Sequence, residues 1–161
     1  MSRPNAQEEP DIAGSDVIRH ALAAAKYRAD KAIEGAPTGF GDFAAGEGTR
    51  SPCELLRHVT AVIGQTTAAL TDGHFNEEQP GPLSLERDRA DAAIRTLANS
   101  LVGQQLTTET TKRLLQGPVA DVISHVGQLA LLRRLSGSPI AGENFYAAEI
   151  DADSLDTAPR A

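Results

Sequence analysis

The chain has 161 residues, one Cys, no Trp, and 15 Lys plus Arg against 22 Asp plus Glu, for a net charge of −7. That length suits one domain, and the acidic balance argues against nucleic acid or an anionic membrane surface as partner, since both need a dense positive face. A single cysteine, Cys53, excludes an internal disulfide and any multi-cysteine zinc site, while no stretch approaches the roughly 20 apolar residues of a membrane span. The first residues lack the basic start and apolar run of a secretory signal, so the expectation is a cytoplasmic protein.

Residues 1–12 are polar, contain two prolines and show no periodicity, the pattern of a disordered tail. From Ser15, a candidate N-cap, Ile18, Ala21, Leu22, Ala25, Ala29 and Ile33 recur at helical spacing until Gly35. Residues 36–50 are too rich in glycine for a regular element and predict a long crossover or lid. Within them, GFGDFAAGEG at 39–48 superficially suggests a phosphate loop. No strand precedes it, no Lys follows, and Asp42 and Glu47 would repel phosphate.

The second helix has the clearest punctuation: Ser51 as N-cap, Pro52 at the first helical position and Glu54 completing a capping box. Its apolar stripe is Leu55, Leu56, Val59, Val62, Ile63, Thr66 and Leu70, with Gly73 as the stop. A third helix runs from about Ser84 to Val102, with Ala90, Ile94, Leu97 and Leu101 on one face and a charged opposite face of Glu86, Arg87, Arg89, Asp91 and Arg95. Residues 107–116 predict a short helix cut off by Gly117. Pro118 then starts a fourth long helix with the stripe Val119, Val122, Ile123, Val126, Leu129 and Ala130, and with Arg133 and Arg134 at the negative end of its dipole. Mid-helix Gly64 and Gly127 suggest close approach of packed backbones.

Four amphipathic helices without strands predict an all-α four-helix bundle over residues 13–148, with a long crossover between helices 1 and 2. Residues 149–161 read as a disordered acidic tail. The two tails carry −2 and −3, leaving only −2 on the bundle.

Among the four histidines, His58 and His125 lie at the edges of buried stripes, and Asp121 stands one turn before His125. Side chains four apart on a helix project side by side, so Asp121 and His125 could reach one ion, with His58 from a facing helix as third ligand. Two imidazoles and a carboxylate suit Zn, Ni or Fe(II) and leave coordination positions open for water or substrate. Spacing alone also fits ordinary helix-edge residues. Glu54, one turn before His58, is explained by its cap; Cys53 sits in a first turn whose dipole can lower a thiol pKa, though a small filler explains it as well. His20 and His74 read as solvated, and Asn144, Phe145 and Tyr146 as a flap over the bundle end, a dimer contact or intrachain packing.

The segment 117–150, GPVADVISHVGQLALLRRLSGSPIAGENFYAAEI, resembles the last helix and tail of DinB-like proteins, whose final helix carries a His-Arg-Gly-Gln-type run; here it reads His125, Val126, Gly127, Gln128. SPCELLRHV at 51–59 is similar to that family's second helix, with its Ser/Thr-Pro cap and following histidine. The resemblance covers about residues 15–150 and implies a divalent metal held at His58, Asp121 and His125, with Asp121 departing from the family's usual histidine. It further implies a metal-dependent enzyme acting on a small-molecule substrate, of the kind that includes S-transferases and isomerases using a low-molecular-weight thiol. A homodimer is expected as partner, and the competing class is a non-catalytic helical-bundle homodimer or interaction module, its apolar flank making the contact and its metal site vestigial.

Overall fold

The computed structural model describes residues 12–156. Among them there is no strand, and the chain forms a helical bundle from α1 (Gly14–Ile33), α2 (Pro52–Thr71), α3 (Leu83–Ser100), α4 (Thr108–Leu114) and α5 (Ala120–Leu135). No described helix is long and apolar enough to cross a membrane.

Helix α2 begins where its sequence dictates. The Glu54 N–H donates to Ser51 Oγ at 3.3 Å and the Ser51 N–H donates to Glu54 Oε2 at 2.7 Å, closing the capping box behind Pro52. Such a cap contributes about 1 kcal/mol and fixes which residues face inward. Leu55, Leu56, Val59 and Ile63 are buried as the stripe requires, whereas Leu70, near the far end, is 40% exposed.

Both α1 and α2 pack against α3 and α5. Arg133 near the end of α5 donates to carbonyls at the end of α1, and Gly14 at the start of α1 lies against Thr111 of α4, so these elements run in the same direction. Gly41 touches both Cys53 and Leu83, and Arg57 reaches Glu86, so α2 and α3 begin at a shared end. Residues 34–51 therefore stay at the end of the bundle where α1 closes and α2 opens, and the long crossover expected between helices 1 and 2 is not seen there. Residues 72–82 run back along its length, with Phe75 packed on Gly64 and the Gly81 N–H bonded to Glu86. The core joins Ile18 and Leu22 of α1, Leu56 and Ile63 of α2, Ile94 and Leu97 of α3, and Val122 and Leu129 of α5.

Several expectations need correction. Ser15 is buried inside α1 rather than capping it; Ala13 is the N-cap, and the seating of Gly14 against Thr111 fixes the start. Pro118 does not open a separate helix. α4 and α5 are joined by a π turn over Leu115–Val119, a wider i→i+5 winding that accommodates a residue without an N–H and its ring inside a continuing helix. Glu86, assigned to a charged solvent face, is fully buried, because the returning 72–82 segment covers it. Gly64 accommodates the ring of Phe75 rather than another helix, and Gly127 faces open space.

Within the acidic C-terminal stretch, Ala152–Asp156 form a short 3-10 turn. Leu155 is buried, Arg95 donates to the Ser154 and Leu155 carbonyls, and Arg19 pairs with Asp153 at 3.3 Å. The stretch reads as a tail because one leucine among acids gives no periodicity; it docks because α1 and α3 supply an apolar seat and two guanidiniums. The remaining tail residues, 1–11 and 157–161, lie outside the described residues.

Candidate metal centre

The three residues singled out by spacing meet at the seam between α2 and α5. The capping box sets His58 between buried Leu55 and Val59, at the edge turned toward α5. Asp121 lies in the first turn of α5 and His125 one turn later, carried by the buried positions Val122, Val126 and Leu129. Donor atoms of His58, Asp121 and His125 all lie within 4.8 Å of one another, a cluster that could hold a metal ion.

His58 Nε2 is 3.3 Å from Asp121 Oδ2, and His125 Nε2 is 3.4 Å from Asp121 Oδ1. Two donors about 2.1 Å from a shared tetrahedral ion stand about 3.4 Å apart, so both separations match edges of such a coordination shell. The imidazole rings meet edge to face, with centroids 4.7 Å apart. Neither contact with the carboxylate has hydrogen-bond geometry: Asp121 Oδ2 and His125 Nε2 are buried atoms without a hydrogen-bond partner. Buried polar atoms left unpaired usually cost about 1–3 kcal/mol, a cost that an ion held by this cluster would relieve.

The second nitrogen of His125 is occupied. Nδ1 is 3.0 Å from Gln128 Oε1, one turn on along α5, and facing an amide oxygen it carries the proton. This leaves the Nε2 lone pair directed at the cluster, as metal-binding histidines require. His58 is held below its ordinary pKa, first by burial and then by the charge of Arg50, against the pull of Asp121. Its neutral, ligating form is thereby favoured. The His58 and Asp121 side chains stay 32% and 40% exposed, so one side of the cluster opens to solvent.

The other candidates lie elsewhere. Glu54 is committed to its cap, whose hydrogen bonds pull its pKa down. Cys53 is buried and its thiol pushed up, first by that burial, which opposes any activation at the helix start. His20 and His74 are exposed and outside the cluster. Arg133 is buried and caps α1 rather than its own helix, through the carbonyls of Ala32, Glu34 and Gly35. Phe145 packs edge to face on Tyr27 and under Arg28, while Tyr146 is almost fully exposed. Two relevant residues carried no assigned role in the sequence: Gln128, three after His125, and Arg50, just before the Ser51 cap. The i,i+3 spacing was the available signal for the first.

No protein-family model, curated protein or solved structure matches the chain.

Proposed function

We propose that this chain is a DinB-like bundle that binds one divalent ion, Zn, Ni or Fe(II), through His58, Asp121 and His125, and uses it to act on a small molecule. The observation carrying this reading is the pair of buried, unpartnered atoms, Asp121 Oδ2 and His125 Nε2, facing the exposed edge of His58. The likeness of segments 51–59 and 117–150 to DinB-like proteins supports it, and through them a transferase, isomerase or hydrolase role with a low-molecular-weight thiol as co-substrate. An ion in such a site supplies Lewis acidity, bringing a bound water toward a pKa near 7 or holding a thiol as thiolate.

The chain's own residues have separable tasks. Asp121 brings the only negative charge among the three, Gln128 fixes the His125 tautomer, and the depressed pKa of His58 keeps its nitrogen available below neutrality. Substituting a carboxylate for the usual histidine lowers the charge of the site by one and favours harder ions.

The test is metal content after purification without chelator. Stoichiometric metal that disappears in both His58→Ala and His125→Ala is expected; a protein that is metal-free and refuses added Zn, Ni and Fe(II) would overturn the reading. A second reading, a non-catalytic homodimer, is favoured by Leu131 and Leu135, which are 52% and 55% exposed one turn apart on α5. It predicts a concentration-dependent doubling of mass that Leu131→Asp abolishes.

A further inference from the structure

Beside the triad, toward the end of α5, lies a trough of about 510 Å³ between that helix and residues 45–50. This volume falls within the range of roughly 300–1,000 Å³ that small-molecule sites occupy. Its floor is aliphatic: Leu55 and Leu132 are buried, while Leu131 and Leu135 stand half exposed on its flank. Gln128, the partner of His125, belongs to its lining, so the trough begins one turn from the candidate metal ligand.

Arg50 is the only charged residue of the lining. It makes no ion pair or hydrogen bond among the described residues, although its charge is felt at His58 and at Glu54. Glu54 is committed to the Ser51 N–H. An unpaired guanidinium above an aliphatic floor calls for a molecule with one anionic end and an apolar body. A carboxylate matches the planar fork of arginine, whereas a multiply charged phosphate would meet a single cation here.

We propose that this trough binds a small amphiphilic monocarboxylate, its carboxylate on Arg50 and its aliphatic body along Leu131, Leu132 and Leu135. The proposal deepens the metal-centre reading and rests on it for what the bound molecule is there to do; the binding itself needs no ion. It places the bound molecule one turn of α5 from His125, through Gln128, and so gives the site a substrate class, an acid with an apolar chain.

The test is an NMR titration of the full metal-free chain with octanoate, octanol and acetate as probes. Octanoate should give saturable shifts at Arg50, Gln128, Leu131 and Leu135 and bind about tenfold tighter than octanol or acetate. Arg50→Gln should remove that tenfold preference while leaving the weak octanol response unchanged. Equal octanoate binding to Arg50→Gln, shifts confined to residues outside the trough, or no saturation up to about 10 mM would each overturn the proposal. So would a dimer that buries Leu131 and Leu135 and is not displaced by octanoate. Zinc uptake is measured on the same samples. Octanoate binding without zinc uptake removes the metal reading and keeps the trough, and zinc uptake without octanoate binding does the reverse.

Discussion

Of the polar clusters that interrupt the apolar packing among the described residues, the two that flank α2 are built on opposite principles. At the α2/α3 seam, the fully buried Glu86 takes the Gly81 N–H at 2.7 Å and faces two guanidiniums, Arg57 at 3.4 Å and Arg89 at 3.3 Å; Arg89 in turn pairs with Glu78. Glu86 Oε2, Arg57 Nε and Arg89 Nε lack hydrogen bonds, yet two cations and two carboxylates leave the cluster neutral. At the α2/α5 seam, one carboxylate faces two imidazoles, one of them biased toward its neutral form, and no guanidinium or ammonium pairs with Asp121 among the described residues. A cluster that neutralises itself needs nothing more, because the chain supplies both signs. The triad supplies donors and a negative charge and leaves a positive charge to come from elsewhere.

Removing charge from the two clusters should therefore give different signatures. The largest effect is expected from Glu86→Ala, which takes the buried carboxylate from Arg57 and from the Gly81 N–H and leaves Arg89 only Glu78 and the Gln79 carbonyl: about 3 kcal/mol of stability lost in urea unfolding, with metal uptake unchanged. Next comes the metal-linked stabilisation of the triad. Zinc at about 100 times its dissociation constant should raise stability by about 2.7 kcal/mol. Asp121→Asn and His125→Ala should erase that gain in thermal melts, and Gln128→Ala should weaken affinity by roughly 10- to 100-fold. A zinc response surviving in Asp121→Asn would break the contrast between the clusters.

Smaller effects sharpen the comparison through the helices that carry it. Gly64→Ala on α2 drives a Cβ into the Phe75 ring and should cost about 1–3 kcal/mol by displacing the segment that covers Glu86. Gly127→Ala on α5 meets nothing within 4 Å and should stabilise the protein by up to about 1 kcal/mol. The smallest effect is in the pH dependence of the metal-free protein. His58 has a folded pKa below its ordinary 6.5, so the unfolded chain binds the proton more readily. Stability must then fall as pH drops through 6.5 toward the lower folded value and flatten below it. His58→Gln should remove that component of the slope in denaturation measured across the window.

How much of this was visible in the sequence depended on whether the deciding interaction is local. The α2 start was legible because Ser51, Pro52 and Glu54 act within one turn. The triad was legible because Asp121 and His125 are one turn apart, which fixes their shared face before any packing, although the distance to His58 needed the assembled bundle. Glu86 was not legible: between Leu85 and Arg87 on an amphipathic helix it looks like a solvated acid, and what buries it arrives from residues 72–82. Leu155 failed for the same reason, its seat being made by helices more than fifty residues earlier. At Gly117 and Pro118 the local signal was present but misleading, since these residues punctuate most helices and here sit inside a π turn.

That π turn gives the site an unusual dependence on counting. Each residue added to or removed from a helix rotates everything beyond it by about 100°, and the wide turn over Leu115–Val119 immediately precedes Asp121. The aim of two of the three candidate ligands is thus decided by the length of the segment before them as much as by their identity. A lineage that lost one residue between Leu115 and Val119 could keep every histidine and carboxylate intact and still turn Asp121 and His125 away from His58. Ligand inventories would score such a chain as competent, and only its helical phase would show that the centre had been dismantled.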